Sequence, residues 1–79
     1  MLVQQGLNLH QRGNLNDAQN IYEQILSIQE NNFDALQLLG ALFAQVKKYP
    51  QAIKFLSKAI IVLSKEEVLS LAHTKKTDV

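Results

Sequence analysis

Apolar residues recur along this chain at intervals of three and four, the spacing of one helical face. In LVQQGLNLHQ (2–11) apolar or small residues stand at 2, 3, 6, 7 and 9. In DAQNIYEQILSI (17–28) they stand at 18, 21, 22, 25, 26 and 28. DALQLLGALFAQV (34–46) and QAIKFLSKAIIVL (51–63) read as two further helices. The residues between them interrupt a helix. Gly13 suits a left-handed C-terminal position. Asn14 then offers an N-cap side chain, with Asp17 placed at the positive end of the next helix. The asparagines of QENN (29–32) favour a turn. In KKYP the residue before Pro50 disfavours helix, and Pro50 itself suits the first turn of the fourth helix. Ser64 and Glu67 have the S-x-x-E spacing of a capping box, which predicts a short fifth helix at VLSLA (68–72). TKKTDV (74–79), short and charged, is expected to fray. The pattern is all-α.

The helices also repeat. Shifting the chain by 34 residues lays Leu2 on Leu36, Gly6 on Gly40, Gln11 on Gln45 and Ala18 on Ala52. Apolar residues fill the same frame at Leu9/Phe43, Leu15/Tyr49, Ile21/Phe55, Tyr22/Leu56 and Leu26/Ile60. Each glycine lies 12 residues before an alanine. A glycine inside a helix costs about 1 kcal/mol relative to alanine. Gly6 and Gly40 are therefore expected where two helices approach closely, with Ala52 and Ala59 near Gly40. The organisation is a helix pair repeated twice, 1–32 and 33–64, with a trailing helix at 65–73 and a frayed tail at 74–79. One pair cannot bury both its faces, so the second stacks on it. The trailing helix is expected to cover the outer face of the second pair.

Composition narrows the function. With 79 residues the chain makes one small domain with a thin core. It has no cysteine, so no disulfide or thiolate metal site supports it. That fits a reducing compartment, and the expected location is cytoplasmic. The longest apolar run, AIIVL (59–63), is far short of the roughly 20 residues that span a bilayer. The N-terminus lacks the features of a signal peptide. Formal net charge is +1, yet residues 1–46 sum to −3 and residues 47–79 to +4. Such asymmetry solvates outer helix faces or marks a binding surface. Lys47, Lys48, Lys54 and Lys58 cluster, but no exposed aromatic is interleaved for base stacking, so nucleic acid is not an expected partner.

No catalytic constellation is visible. His10 and His73 lie near opposite ends, and neither has an i, i+4 ligand partner. Ser27, Ser57, Ser64 and Ser70 have no base arranged beside them. Glu66 and Glu67 are neighbours on a helix and do not face each other. There is no phosphate-cradling glycine loop. Tyr22 and Tyr49 fall on packing positions. The chain reads as a non-enzyme without metal or cofactor.

The period, the paired glycines and the paired alanines resemble the tetratricopeptide repeat. Leu36, Leu39, Gly40, Phe43, Ala52, Leu56 and Ala59 fit that family's pattern in the second repeat, with Tyr49 three before Ala52. Leu2, Gly6, Leu9, Leu15, Ala18 and Tyr22 fit it in the first. The first repeat departs at Gln5, where leucine is expected, and at Ile25, where a small residue is expected. The family's late proline is replaced by Glu30 and Ser64. The resemblance covers about residues 1–64 and implies a short right-handed superhelix.

It also implies a concave groove lined by the first helix of each repeat, gripping a peptide or a partner helix. By position, the first repeat presents Val3, Gln4, Leu7, His10 and Gln11. The second presents Asp34, Gln37, Leu38, Ala41, Ala44 and Gln45. Glutamine amides both donate to and accept from a peptide backbone, while Val3, Leu7, Leu38 and Ala41 supply apolar contact. Some of these residues are alternatively expected only to pack against the neighbouring helix. Members that clamp a chaperone's C-terminal carboxylate use lysine and asparagine where this chain has Val3, Leu7 and Leu38, so that role is not implied. GLNLHQRGNLNDAQNIYEQIL also resembles, more loosely, bacterial arrays that precede a glycosyltransferase-type domain. That resemblance implies an alternative role as a substrate-guiding appendage. A third reading is self-association, a homo-oligomer formed through apolar end faces, because two repeats are few for a stable array.

Overall fold

The computed structural model describes the backbone of residues 2–78 and the side chains of residues 2–65. Four helices succeed one another: α1 (Leu2–Gln11), α2 (Leu15–Ile28), α3 (Phe33–Gln45) and α4 (Tyr49–Asp78). Adjacent helices pack as antiparallel neighbours, and α1 also touches α3.

The two helix pairs share one device at the same place in the period. At the end of α1, Asn14 N–H donates to the Leu9 carbonyl at 2.9 Å and Gly13 N–H to that of His10 at 3.1 Å. At the end of α3, Lys48 N–H donates to Phe43 at 2.8 Å and Lys47 N–H to Ala44 at 3.0 Å. Both are Schellman closures, which need one left-handed residue. Gly13 supplies it at φ 86°, and 34 positions later Lys47 supplies it at φ 65°. The left-handed Lys47 thus turns the chain here, and Tyr49, although it precedes Pro50, opens α4. A side chain in this conformation costs roughly 1–2 kcal/mol. Gly13→Ala should therefore lose about 1 kcal/mol in urea denaturation, while Lys47→Gly should raise stability. A loss in both would mean that the turns do not depend on backbone conformation.

The interior turn is held differently. Asn32 caps α3, its side-chain oxygen accepting from the Ala35 N–H at 2.9 Å, and its amide donates to the Gln29 side chain at 2.8 Å. Asn14 stands at the N-cap of α2 but its side chain makes no capping bond; its backbone, at φ −81° and ψ 69°, lies outside the extended conformation that Asn32 adopts at φ −66° and ψ 111°.

The separate trailing helix is a misreading of the sequence. α4 runs unbroken from Tyr49 to Asp78. After Pro50 the chain has neither glycine nor proline, and an S-x-x-E spacing marks a helix start only where something ends the helix before it. The expected tail at 74–78 continues α4, and Val79 lies outside the described residues. A 30-residue helix is about 45 Å long, so α4 sets the 52 Å long dimension of the molecule. It outruns the 13-residue α3, and a continuous helix cannot fold back over its own outer face.

The core lies between α2, α3 and α4. Ala18, Tyr22 and Ile25 meet Ala35, Leu39, Leu42, Phe43 and Ala52. Phe43 and Phe55 stack at 5.7 Å, joining α3 to α4. The glycines mark close approach as expected, and the side chain nearest to Gly40 is that of Leu56. A Cβ added at Gly40 would lie 2.6 Å from Leu56 Cγ, and one added at Gly6 would lie 2.5 Å from the Tyr22 ring. Tyr22 and Leu56 are themselves one period apart, so both hairpins cross in the same way.

Candidate functional site

The first helices of the two pairs, α1 and α3, lie together, and one polar chain joins them. His10 Nε2 is 2.8 Å from Gln45 Oε1, and its Nδ1 is 3.2 Å from the Tyr22 hydroxyl. The Gln45 oxygen only accepts, so Nε2 carries the proton; Nδ1 then accepts from the tyrosine O–H. Burial pushes the Tyr22 hydroxyl above its ordinary pKa, which keeps it protonated and donating. The rings also meet edge to face, with centroids 6.0 Å apart. One imidazole therefore ties together α1, α2 and α3. The sequence marked His10 and Gln45 as separate groove residues; their pairing across 35 positions had no local signal.

Around this chain Gln4, Gln11, Asp34, Gln37, Ala41 and Gln45 are exposed, while Val3, Leu7, His10 and Leu38 are half-buried. Val3, Leu38 and Ala44 lean on the core, so part of their surface serves packing. Gln4 donates to Asn8 on the same helix at 3.3 Å. At the end of the molecule where α1 starts and α2 ends, an open cleft of about 370 Å³ is lined by Leu2, Val3, Ile25, Ile28, Gln29 and Asn32. Of these, only Val3 was picked out for the groove by its position in the sequence.

Elsewhere the surface departs from expectation. Tyr22 is fully buried, but Tyr49, read as a packing residue, is 54% exposed. It sits in the first turn of α4, where no further helix covers it. Lys54 places its ammonium 5.6 Å from the Phe55 ring, a cation–π contact. Among the described residues no three His, Asp or Glu side chains gather as a metal site, and no helix is long and apolar enough to cross a membrane.

Two stacked helical hairpins in a common frame, presenting a mixed polar and apolar face, define a helical repeat protein. The chain belongs to the tetratricopeptide repeat family, whose family model matches residues 9–72. Repeats of this family generally mediate protein–protein interaction and are typically non-catalytic. No curated protein and no solved structure matches the chain.

Proposed function

We propose that the face formed by α1 and α3 binds an extended peptide or a partner helix and performs no catalysis. The observation that supports this most is the His10–Gln45 bond, which fixes the two first helices side by side. Gln4, Gln11, Gln37 and Gln45 then stand exposed beside the half-buried Val3, Leu7 and Leu38. Amides give the ligand backbone donors and acceptors, and the apolar residues take alternate side chains of an extended ligand. His10 holds the Gln45 oxygen, and the amide nitrogen of Gln45 remains able to donate to a ligand. The cleft beside Val3 has room for an apolar side chain at one end of the ligand.

The test is a titration of the intact chain with peptides selected from a random library, followed by amide NMR. Shifts should concentrate at Gln4, Gln37 and Gln45. Shifts confined to Lys54, Lys58 and their neighbours on α4 would overturn the assignment.

A further inference from the structure

On α4 the residues Tyr49, Ile53, Leu56, Ile60 and Leu63 succeed one another at intervals of four, three, four and three. That is the a/d seam of a coiled coil, with isoleucine at a and leucine or tyrosine at d. Such a seam is normally covered. Here Tyr49 is 54%, Ile53 64%, Ile60 63% and Leu63 44% exposed, while Leu56 between them is half-buried and leans on Gly40 of α3.

The period shows what kind of element fits there. The same positions on α2, one repeat earlier, are Leu15, Gln19, Tyr22, Leu26 and Gln29. All but Gln29 are half-buried or buried. They are sheltered because α2 packs against a helix on each side, α1 and α3. The stripe on α4 is therefore a stacking face that takes another helix.

We propose that this helix is α4 of a second copy, paired through the same stripe about a two-fold axis. On one side of the seam Ala52 and Ala59 are buried in the core, and on the other the exposed Ser57 and Ser64 are neutral. Lys54, Lys58 and Lys65 fall at register positions away from it. Two copies can thus approach without opposing like charges, and a self-complementary patch closes on itself. Head-to-tail stacking onto α1 of another copy is disfavoured by chemistry. Where α3 packs with Leu38, Leu39 and Leu42, α1 has Gln4, Gln5 and Asn8, all exposed. Two heptads make a short seam, below the three or four of a persistent coiled coil, so the pair dissociates on dilution.

Sedimentation equilibrium of the full 79-residue chain, from micromolar to millimolar, tests this. The mass should rise from 8.9 kDa towards twice that value. Ile53→Lys and Ile60→Lys should each weaken the pairing roughly tenfold or more, by losing apolar burial and placing an ammonium in the seam. Ile53→Gln and Ile60→Gln should weaken it without added charge, and Gln4→Lys on α1 should leave it unchanged. Both isoleucines are exposed in the single chain, so far-UV circular dichroism of the variants should match the parent. A monomer at every concentration overturns the proposal. A dimer indifferent to the α4 substitutions also overturns it, as does one lost in Gln4→Lys alone. Loss in Gln4→Lys alone would place self-association on the α1 face proposed for peptide binding; the other results leave that reading untouched.

Discussion

Gly40→Leu should remove about 3 kcal/mol or more of stability, while Ala41→Leu beside it should change stability by less than about 1 kcal/mol. The two positions are consecutive on α3, and helix propensity alone would favour the substitution at Gly40, so a larger loss there reports what residue 40 faces. A Cβ at residue 40 meets Leu56 Cγ at 2.6 Å, Cδ2 at 2.8 Å and the Leu56 backbone nitrogen at 3.3 Å. The Leu56 side chain could yield by rotating, but the backbone of α4 could yield only by moving away. Ala41 is exposed, so a leucine there adds surface without displacing a helix. A domain of 79 residues holds about 4–12 kcal/mol in total, so the first variant is close to unfolding. Urea denaturation followed by helical circular dichroism measures both. Equal losses would mean that Gly40 is not a contact point between α3 and α4.

Tyr22→Ala is the second severe change, expected to cost about 3–5 kcal/mol. The ring is fully buried and lies against Gly6, and its loss opens a cavity between α1 and the core. Tyr22→Phe keeps the ring and removes only the donor to His10, at a cost of about 1 kcal/mol. The pair separates packing from the polar chain; a phenylalanine variant as weak as the alanine variant would assign the stability to the hydroxyl. A pH titration adds a third readout. Burial raises the folded-state pKa of Tyr22 above its unfolded value near 10. The corresponding stability is present below that value and is lost as pH rises through the folded one. Tyr22→Phe should flatten that part of the alkaline decline.

Helix periodicity, the left-handed Gly13 and the shared frame of Gly6 and Gly40 were legible in the sequence because each is a local signal read at a fixed interval. The neighbour of Gly40 was not, since the frame gives the register of two helices but not which side chain of the partner points at the gap. Lys47 was hidden because lysine carries no sign of a left-handed backbone; only its place 34 residues after Gly13 exposes it. The capping spacing at Ser64 misled for the opposite reason. It is a real start signal whose meaning depends on a preceding stop, and α4 has none. At the candidate face, exposure followed from helical position, but the bond from His10 to Gln45 depends on the tilt of α1 against α3, which no local pattern encodes.

α1 contributes to the core only its glycine as a fully buried residue. Its other apolar residues are half-buried at most, while Leu39, Leu42 and Phe43 interlock with Ala52 without it. Lifting α1 away would uncover Tyr22 and break the bond to Gln45, yet leave the packing of α3 on α4 in place. The free energy of that partial opening is lower than that of global unfolding. Half of the proposed binding face is thus carried by a helix whose one fully buried residue is a glycine. A ligand that bridges α1 and α3 would hold the opening equilibrium shut, and its affinity would carry the cost of docking α1.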